Sequence, residues 1–374
     1  MKILAGRIYS NNSEIEERTI EIEDGIITSV NNQRNKDVID LSDRIIIPSF
    51  VDIHTHGIKG IDSYDASVND YTEWSKILLE HGVQYFVPTI VSAPLERIIQ
   101  FLTNLREAMQ RGVEGIIGGR LEGPLISPVR KGAHEIRYLK TPDIFPTSKI
   151  LDEFGDIIRI IDFAPELRGS IQMVKEFSGR VIFSMGHTDC KYDECMDAYK
   201  NGSHHVTHLF NAMRPFHHRE VGLIGLSFLK QNIDVEIIID LVHLSRETID
   251  IILKFKNEDN IIAITDSISA TLMPDGRYKL GSLDVEMKEG VCKISGTDTI
   301  AGSTVTMDEE FKRLVSIGYK PETVIKFFTF NPSRVIGINH GAIEKGYDGK
   351  LTILDKALNV KGIINKEVIE GNFE

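Results

Sequence analysis

Eight short apolar runs rich in β-branched residues recur along the chain, at 45–54, 83–89, 115–122, 157–164, 181–187, 204–208, 235–240 and 261–266. Most are separated by stretches whose apolar residues fall at helical spacing, as over 71–81 and 95–110. Strand, helix, strand in repetition is the pattern of a parallel sheet with helical crossovers. Eight repeats is the strand number of a (β/α)8 barrel of the TIM type. An open doubly wound sheet shows the same alternation but rarely needs eight strands.

The two ends of the chain read differently. Residues 1 to 48 form short strand candidates with a polar turn at Asn11-Asn12 and an Asp24-Gly25 pair between two alternating runs, a hairpin signal. Strand candidates recur at 350–354, 360–364 and, more weakly, at Val368-Ile369. The expected fold is therefore α/β. A small β-sandwich domain comes from both termini (1–48 plus 337–374), around a (β/α)8 barrel over 49–336. Two separate flanking hairpins are the alternative.

Polar residues sit where the apolar runs end. The first run closes in Asp52-Ile53-His54-Thr55-His56-Gly57. Residues two apart on a strand share a face, so His54 and His56 project together. Glu122, His187, His208 and Asp266 also fall at strand C-terminal ends, the face where barrel enzymes place their chemistry. A lone charge in a buried strand is costly, so the set points to one shared function. Imidazoles and carboxylates together suit one or two divalent ions such as Zn, Fe or Mn. Glu122 is the natural bridge between two ions. Such ions activate water without a protein nucleophile. The chain carries no Gly-x-Ser-x-Gly elbow and no Walker loop.

Composition narrows the partners. A net charge of −12 argues against general binding to nucleic acid or to an anionic membrane. No apolar run approaches transmembrane length, and the first residues are too briefly apolar for a signal peptide. The three cysteines, Cys190, Cys195 and Cys292, have no zinc-ribbon spacing, and reduced thiols in a cytoplasmic protein are expected. Arg214, His217, His218 and Arg219 make a local basic cluster, either a solvated loop or a phosphate contact. His81, His204, His205, His340 and Lys131 read as structural or exposed.

Several longer stretches carry a resemblance. Residues 121–134 (Leu-Glu-Gly-Pro-Leu-Ile-Ser-Pro-Val-Arg-Lys-Gly-Ala-His), Thr207-His208-Leu209-Phe210-Asn211-Ala212-Met213, Gly186-His187-Thr188 and His218-Arg219-Glu220 resemble the N-acetylglucosamine-6-phosphate deacetylases of the amidohydrolase superfamily. The likeness continues through 300–307, Asn331-Pro332-Ser333-Arg334 and 341–351, nearly the whole chain. It implies hydrolysis of the acetamide of N-acetylglucosamine 6-phosphate to glucosamine 6-phosphate and acetate in amino-sugar catabolism. The galactosamine epimer, or another amidohydrolase reaction, is the alternative. A catalytically dead barrel would have lost ligands, yet every ligand position is filled.

The resemblance also implies roles. Glu122, His187 and His208 would hold the principal ion, and His54 and His56 make a second plausible. Asp266 would act as general base and acid beside the metal. His243 would contact the substrate and help polarise the acetyl carbonyl. Ala133, His134, Asn211, Ala212, Ala301, Gly302 and Ser303 would lie against the sugar. His218 and Arg219 would reach the phosphate in a neighbouring subunit's site, which implies a homodimer. Departures from the family pattern, Leu241 in Asp240-Leu241-Val242-His243 and Ile268 after the aspartate, are expected to press on the sugar pocket.

Overall fold

The computed structural model describes residues 1–32, 37–365 and 368–371. The chain divides into two compact units: Met1–Asp52, Ser75–Tyr85 and Thr306–Glu374 form one, and Ile53–Trp74 with Phe86–Val305 form the other.

In the first unit both chain ends enter one continuous seven-stranded sheet, rather than two separately bonded ones. Its order is Val368–Gly371, Val360–Asn365, Leu351–Leu354, Ile39–Pro48, Lys2–Ser10, Ser13–Glu23, Ile26–Asn31. The join between the termini is antiparallel, with Ile353 opposite Ile46 and Leu351 opposite Pro48. Ile46, Ile353, Ile3, Ile20 and Ile364 are all fully buried in one cluster, each contributing about 1.5–3 kcal/mol by burial. Asp24 and Gly25 both have positive φ (51° and 76°), which a two-residue hairpin with primed geometry requires.

Two expectations about this unit change. The apolar run 45–54 is two strands, because Ser49 lies between Ile39–Pro48 of the terminal sheet and Phe50–Thr55. Residues 306–336, expected with the barrel, belong to the first unit, since Phe311 and Phe328 pack on Phe50 with ring centroids 5.9 Å apart in each case. Gln84 ties segment 75–85 to the same unit. Its Nε2 donates to Ser49 Oγ (2.8 Å), Leu351 O (3.2 Å) and Ile364 O (3.1 Å).

The eight barrel strands are β1 (Phe50–Thr55), β2 (Val83–Val91), β3 (Gly119–Leu125), β4 (Ile158–Phe163), β5 (Ile182–Met185), β6 (His205–Val206), β7 (Asp234–Ile237) and β8 (Ile261–Ala263). They pair in sequence order as one eight-stranded sheet. The circle closes just past the strand ends: Asp266 N–H donates to His54 O at 2.9 Å, and Thr55 bridges Ser267 in parallel. Strands β6 to β8 are shorter than the apolar runs that predicted them. The residues beyond their ends form the rim on which the site is built.

Sequence patterning missed a three-stranded antiparallel sheet, Gly276–Leu280, Leu283–Lys288 and Val291–Ile294. It shares a core with Val91, Ala133, Ile268 and Ala301. The expectation of three reduced cysteines is overturned for two of them. Cys190 and Cys195 form a disulfide, their Cα atoms 6.0 Å apart across the start of helix Tyr192–Lys200, within ordinary bridging range. Cys292 is a buried free thiol whose pKa burial pushes up to about 12. Among the described residues no helix is long and apolar enough to cross a membrane.

Candidate active site

The ends of β1, β3, β5, β6 and β8 bring His54, His56, Glu122, His187, His208 and Asp266 together. Glu122 is the hub. Its Oε1 lies 3.1 Å from His187 Nε2, 3.1 Å from His208 Nε2 and 3.4 Å from His54 Nε2. Its Oε2 lies 3.1 Å from His56 Nε2. Asp266 Oδ1 is 3.1 Å from His56 Nε2 and 3.4 Å from His54 Nε2. The donor atoms therefore fall into two overlapping groups, His54/His56/Glu122/Asp266 and Glu122/His187/His208.

Hydrogen bonds behind the ligands decide what faces the centre. His56 Nδ1 lies 2.9 Å from Thr89 O, and His187 Nδ1 lies 3.0 Å from Arg130 O. A carbonyl only accepts, so in both rings Nδ1 carries the proton. His54 Nδ1 lies 3.3 Å from Glu236 Oε2 in the same sense. In neutral rings this turns three Nε2 lone pairs, beside two carboxylates, toward one another. Ligands about 2.0–2.1 Å from a tetrahedral zinc lie roughly 3.3 Å apart. The observed 3.1–3.4 Å separations are those of such a cage. The residues present fit a divalent cation.

The electrostatics agree. Burial alone would raise Glu122, but the imidazoles of His54 and His56 outweigh it and hold the carboxyl well below its usual range. Asp266 is likewise lowered against its burial by the same two rings. Burial and Arg120 oppose a charge on His54, yet Glu122 and Asp266 bring it up to about 9. Burial opposes it at His56 too, and the carboxylates carry that ring to about 10. Without an ion, protonated His54 and His56 supply the positive charge that Glu122 and Asp266 attract; a divalent ion would take the place of those protons.

His134 is different. Ser92 N–H donates to its Nδ1 at 3.1 Å, so its proton sits on Nε2, 3.3 Å from Glu122 Oε2. Burial pushes its pKa down to about 4. It is a neutral donor aimed into the cavity rather than a ligand. His243 Nδ1 is 2.6 Å from Asp240 Oδ2, and Asp240 Oδ1 also accepts from the backbone N–H groups of Val242 and His243, both at 2.8 Å.

A cavity of about 350 Å³ opens over the cluster and is lined by Ala133, His134, Asn211, Ala212, His243 and Gly302, together with most of the cluster itself. Of the other expected contacts, Ala301 is fully buried behind it. Ser303 supports the aspartate: its N–H donates to Asp266 O at 2.8 Å, and its hydroxyl donates to Thr265 O. Gly302 has φ +58°, and a Cβ there would lie 2.9 Å from Asp266 O and 2.4 Å from Ile268 Cγ2. Leu241 and Ile268 do not line the cavity. Leu241 takes φ +60° and turns its side chain 42% exposed to solvent, while Ile268 is buried under the three-stranded sheet. In the basic cluster, Arg214 is committed to Asp189. His218 and Arg219 are exposed, 3.0 Å apart, and outside this cavity. Among the histidines read as structural, His205 Nδ1 bonds Ser184 Oγ (2.9 Å) and His340 Nε2 bonds Ser49 O (2.8 Å).

Sequence reasoning missed the layer beneath the ligands. Arg120, two residues before Glu122 on the same face of β3, is fully buried. It donates to Asp162 Oδ1 (2.9 Å) and Oδ2 (3.1 Å), to both oxygens of Glu236, and to Thr207 Oγ1 (3.0 Å). Each of the three charges interrupts an apolar strand, and that interruption was the available signal.

Comparison with known proteins agrees with this geometry. A family model described as the amidohydrolase family matches residues 45–373. N-acetylglucosamine-6-phosphate deacetylase of Bacillus subtilis is 32% identical over 367 residues, 94% of this chain and 92% of that one. N-acetylgalactosamine-6-phosphate deacetylase of Escherichia coli O157:H7 is 27% identical over 365 residues, 96% of each chain. The structure of N-acetyl-D-glucosamine-6-phosphate deacetylase from Mycobacterium smegmatis, a mutant in complex with N-acetyl-D-glucosamine-6-phosphate, superposes with TM-score 0.93 at 28% identity, covering 99% of this chain and 98% of that one. The chain belongs to the amidohydrolase family, on the branch that holds these sugar-phosphate deacetylases.

Proposed function

We propose that the protein hydrolyses the acetamide of N-acetylglucosamine 6-phosphate, giving glucosamine 6-phosphate and acetate. The observation that carries this is the ring of histidine Nε2 atoms and carboxylate oxygens, 3.1–3.4 Å apart, on the floor of a sugar-sized cavity. A divalent ion bound there, zinc, iron or manganese, supplies Lewis acidity and lowers the pKa of water. Glu122, His187 and His208 would hold one ion, with His54, His56 and Asp266 available for a second.

The chain's own groups do the rest. Asp266, kept ionised, takes a proton from the attacking water at a carboxylate oxygen and returns it to the departing amine. His243, oriented by Asp240, presents Nε2 to the acetyl oxygen. His134 offers its Nε2–H as a donor. Ala133, Asn211, Ala212 and the Ala301–Ser303 loop shape the sugar subsite.

Phosphate needs a cation, and among the described residues lining the cavity there is no lysine or arginine. Lys131 is nearby but bonds the carbonyls of Gly132 and His134. The exposed pair His218 and Arg219 would serve the site of a second copy, making the protein a homodimer. A charged sugar phosphate does not cross a bilayer unaided, which favours a cytoplasmic setting. The cysteines no longer argue for it. The galactosamine epimer is the second reading, favoured by the likeness to the Escherichia coli protein. The test is acetate release from phosphorylated and unphosphorylated N-acetylhexosamines of both epimers, using protein of measured metal content. Release from N-acetylglucosamine 6-phosphate above all others is expected. No release from any of them would end the proposal.

A further inference from the structure

We propose that Arg120 and Glu236 are positioning residues that decide whether the His54 half of the cluster holds an ion. The inference rests on the metal reading above and adds to it a cause for the second ion. His54 takes its orientation from Glu236 Oε2, 3.3 Å from Nδ1. Glu236 is in turn fixed by Arg120, which donates to both of its oxygens. All three side chains are fully buried.

Two features separate this arrangement from ordinary core packing. The first is charge. One guanidinium faces two carboxylates, Asp162 and Glu236, and the nearby His205, its Nε2 3.7 Å from Glu236 Oε1, is kept from charging by burial, so the group carries an excess negative charge with His54 between it and the ligand cluster. Replacing buried ionic groups by apolar ones is often neutral or stabilising, and Arg120 paired with Asp162 alone would already be balanced. Glu236 therefore answers to something beyond the pair. The second is asymmetry. Three of the four candidate ligand imidazoles have an acceptor at Nδ1, but His208 Nδ1 has no hydrogen-bond partner among the described residues. Glu236 reaches His208 only through its backbone N–H, at 3.4 Å. The carboxylate is built to set a tautomer at His54.

A Glu236→Gln side chain has one oxygen in place of two. Arg120 claims that oxygen, and the amide N–H₂ then faces His54 Nδ1. The ring proton is driven to Nε2, where it blocks ligation. The test is zinc titration of metal-stripped protein against a chelating indicator. The wild type is expected to take up two zinc ions. Glu236→Gln should keep one at unchanged affinity and bind the other about 10–100-fold more weakly, the usual effect of losing a ligand's outer partner. Asp162→Asn disturbs the same buried group without touching His54, and should keep both.

Equal affinities in wild type and Glu236→Gln would overturn the inference. So would equal weakening of both ions, or a wild type that takes only one. A wild type that binds no zinc would instead remove the metal reading, and this inference with it. Should Glu236→Gln fail to fold, histidine ¹⁵N shifts of the zinc-loaded wild type decide the matter. His54 ligating through Nε2 with its proton on Nδ1 is expected, and ligation through Nδ1 refutes the assignment.

Discussion

The barrel rim and the terminal sheet use buried positions in opposite ways. The terminal sheet buries isoleucine, leucine and alanine in regular strands. The rim buries His54, His56, Glu122 and Asp266, with Arg120, Asp162 and Glu236 beneath them. It also holds candidate ligands in backbone that L-residues avoid: His187, His208 and Asp266 have φ of 45°, 26° and 49°. Backbone strain and buried charge both cost stability and are kept where function needs them. The comparison teaches that one region can be judged by stability alone, and the other only by chemistry.

Substitutions should separate the two. The largest effect is expected for Asp266→Asn, which removes the proton acceptor. Turnover should fall by about 10²–10⁴-fold while the melting temperature holds; near-normal kcat would remove Asp266 from the reaction. Ile353→Ala should do the reverse, costing about 2–5 kcal/mol in urea unfolding with kcat/KM unchanged in the folded protein. Arg219→Ala should raise KM for the phosphorylated sugar by about 10–100-fold, the worth of one charged hydrogen bond. It should leave kcat and the unphosphorylated sugar unaffected; an unmoved KM would detach Arg219 from the phosphate. The smallest change is at Leu241. Its left-handed backbone costs about 1–2 kcal/mol, so Leu241→Gly should stabilise by up to about 1 kcal/mol after the entropy of glycine is subtracted, without altering KM.

Much of this was legible in the residues. The six candidate ligands that the structure gathers stand at the ends of apolar runs, and runs of that kind are the simplest pattern a sequence can show. Asp24-Gly25 declared its hairpin for the same local reason. What stayed hidden depends on partners far apart in the chain. Arg120, Asp162 and Glu236 are each an isolated charge in a strand, and only closure of the barrel makes them neighbours. Leu241 reads as crowding the pocket until its positive φ turns it outward. The break at Ser49 divides one apolar run between two sheets, which periodicity cannot see. The Cys190–Cys195 bridge needs the helix start that brings the two within reach. The strands over 276–294 are short, with several exposed positions, too weak a pattern beside the barrel runs.

The pairing of Leu351–Leu354 with Ile39–Pro48 has a consequence for biosynthesis. The early strand leaves the ribosome with one edge bare, and its partner emerges roughly 300 residues later, about 15–60 s at ordinary elongation rates. During that wait an isoleucine-rich edge is open to the wrong neighbour. A chaperone that shields nascent chains should therefore matter more to the yield of this protein than its final stability would imply.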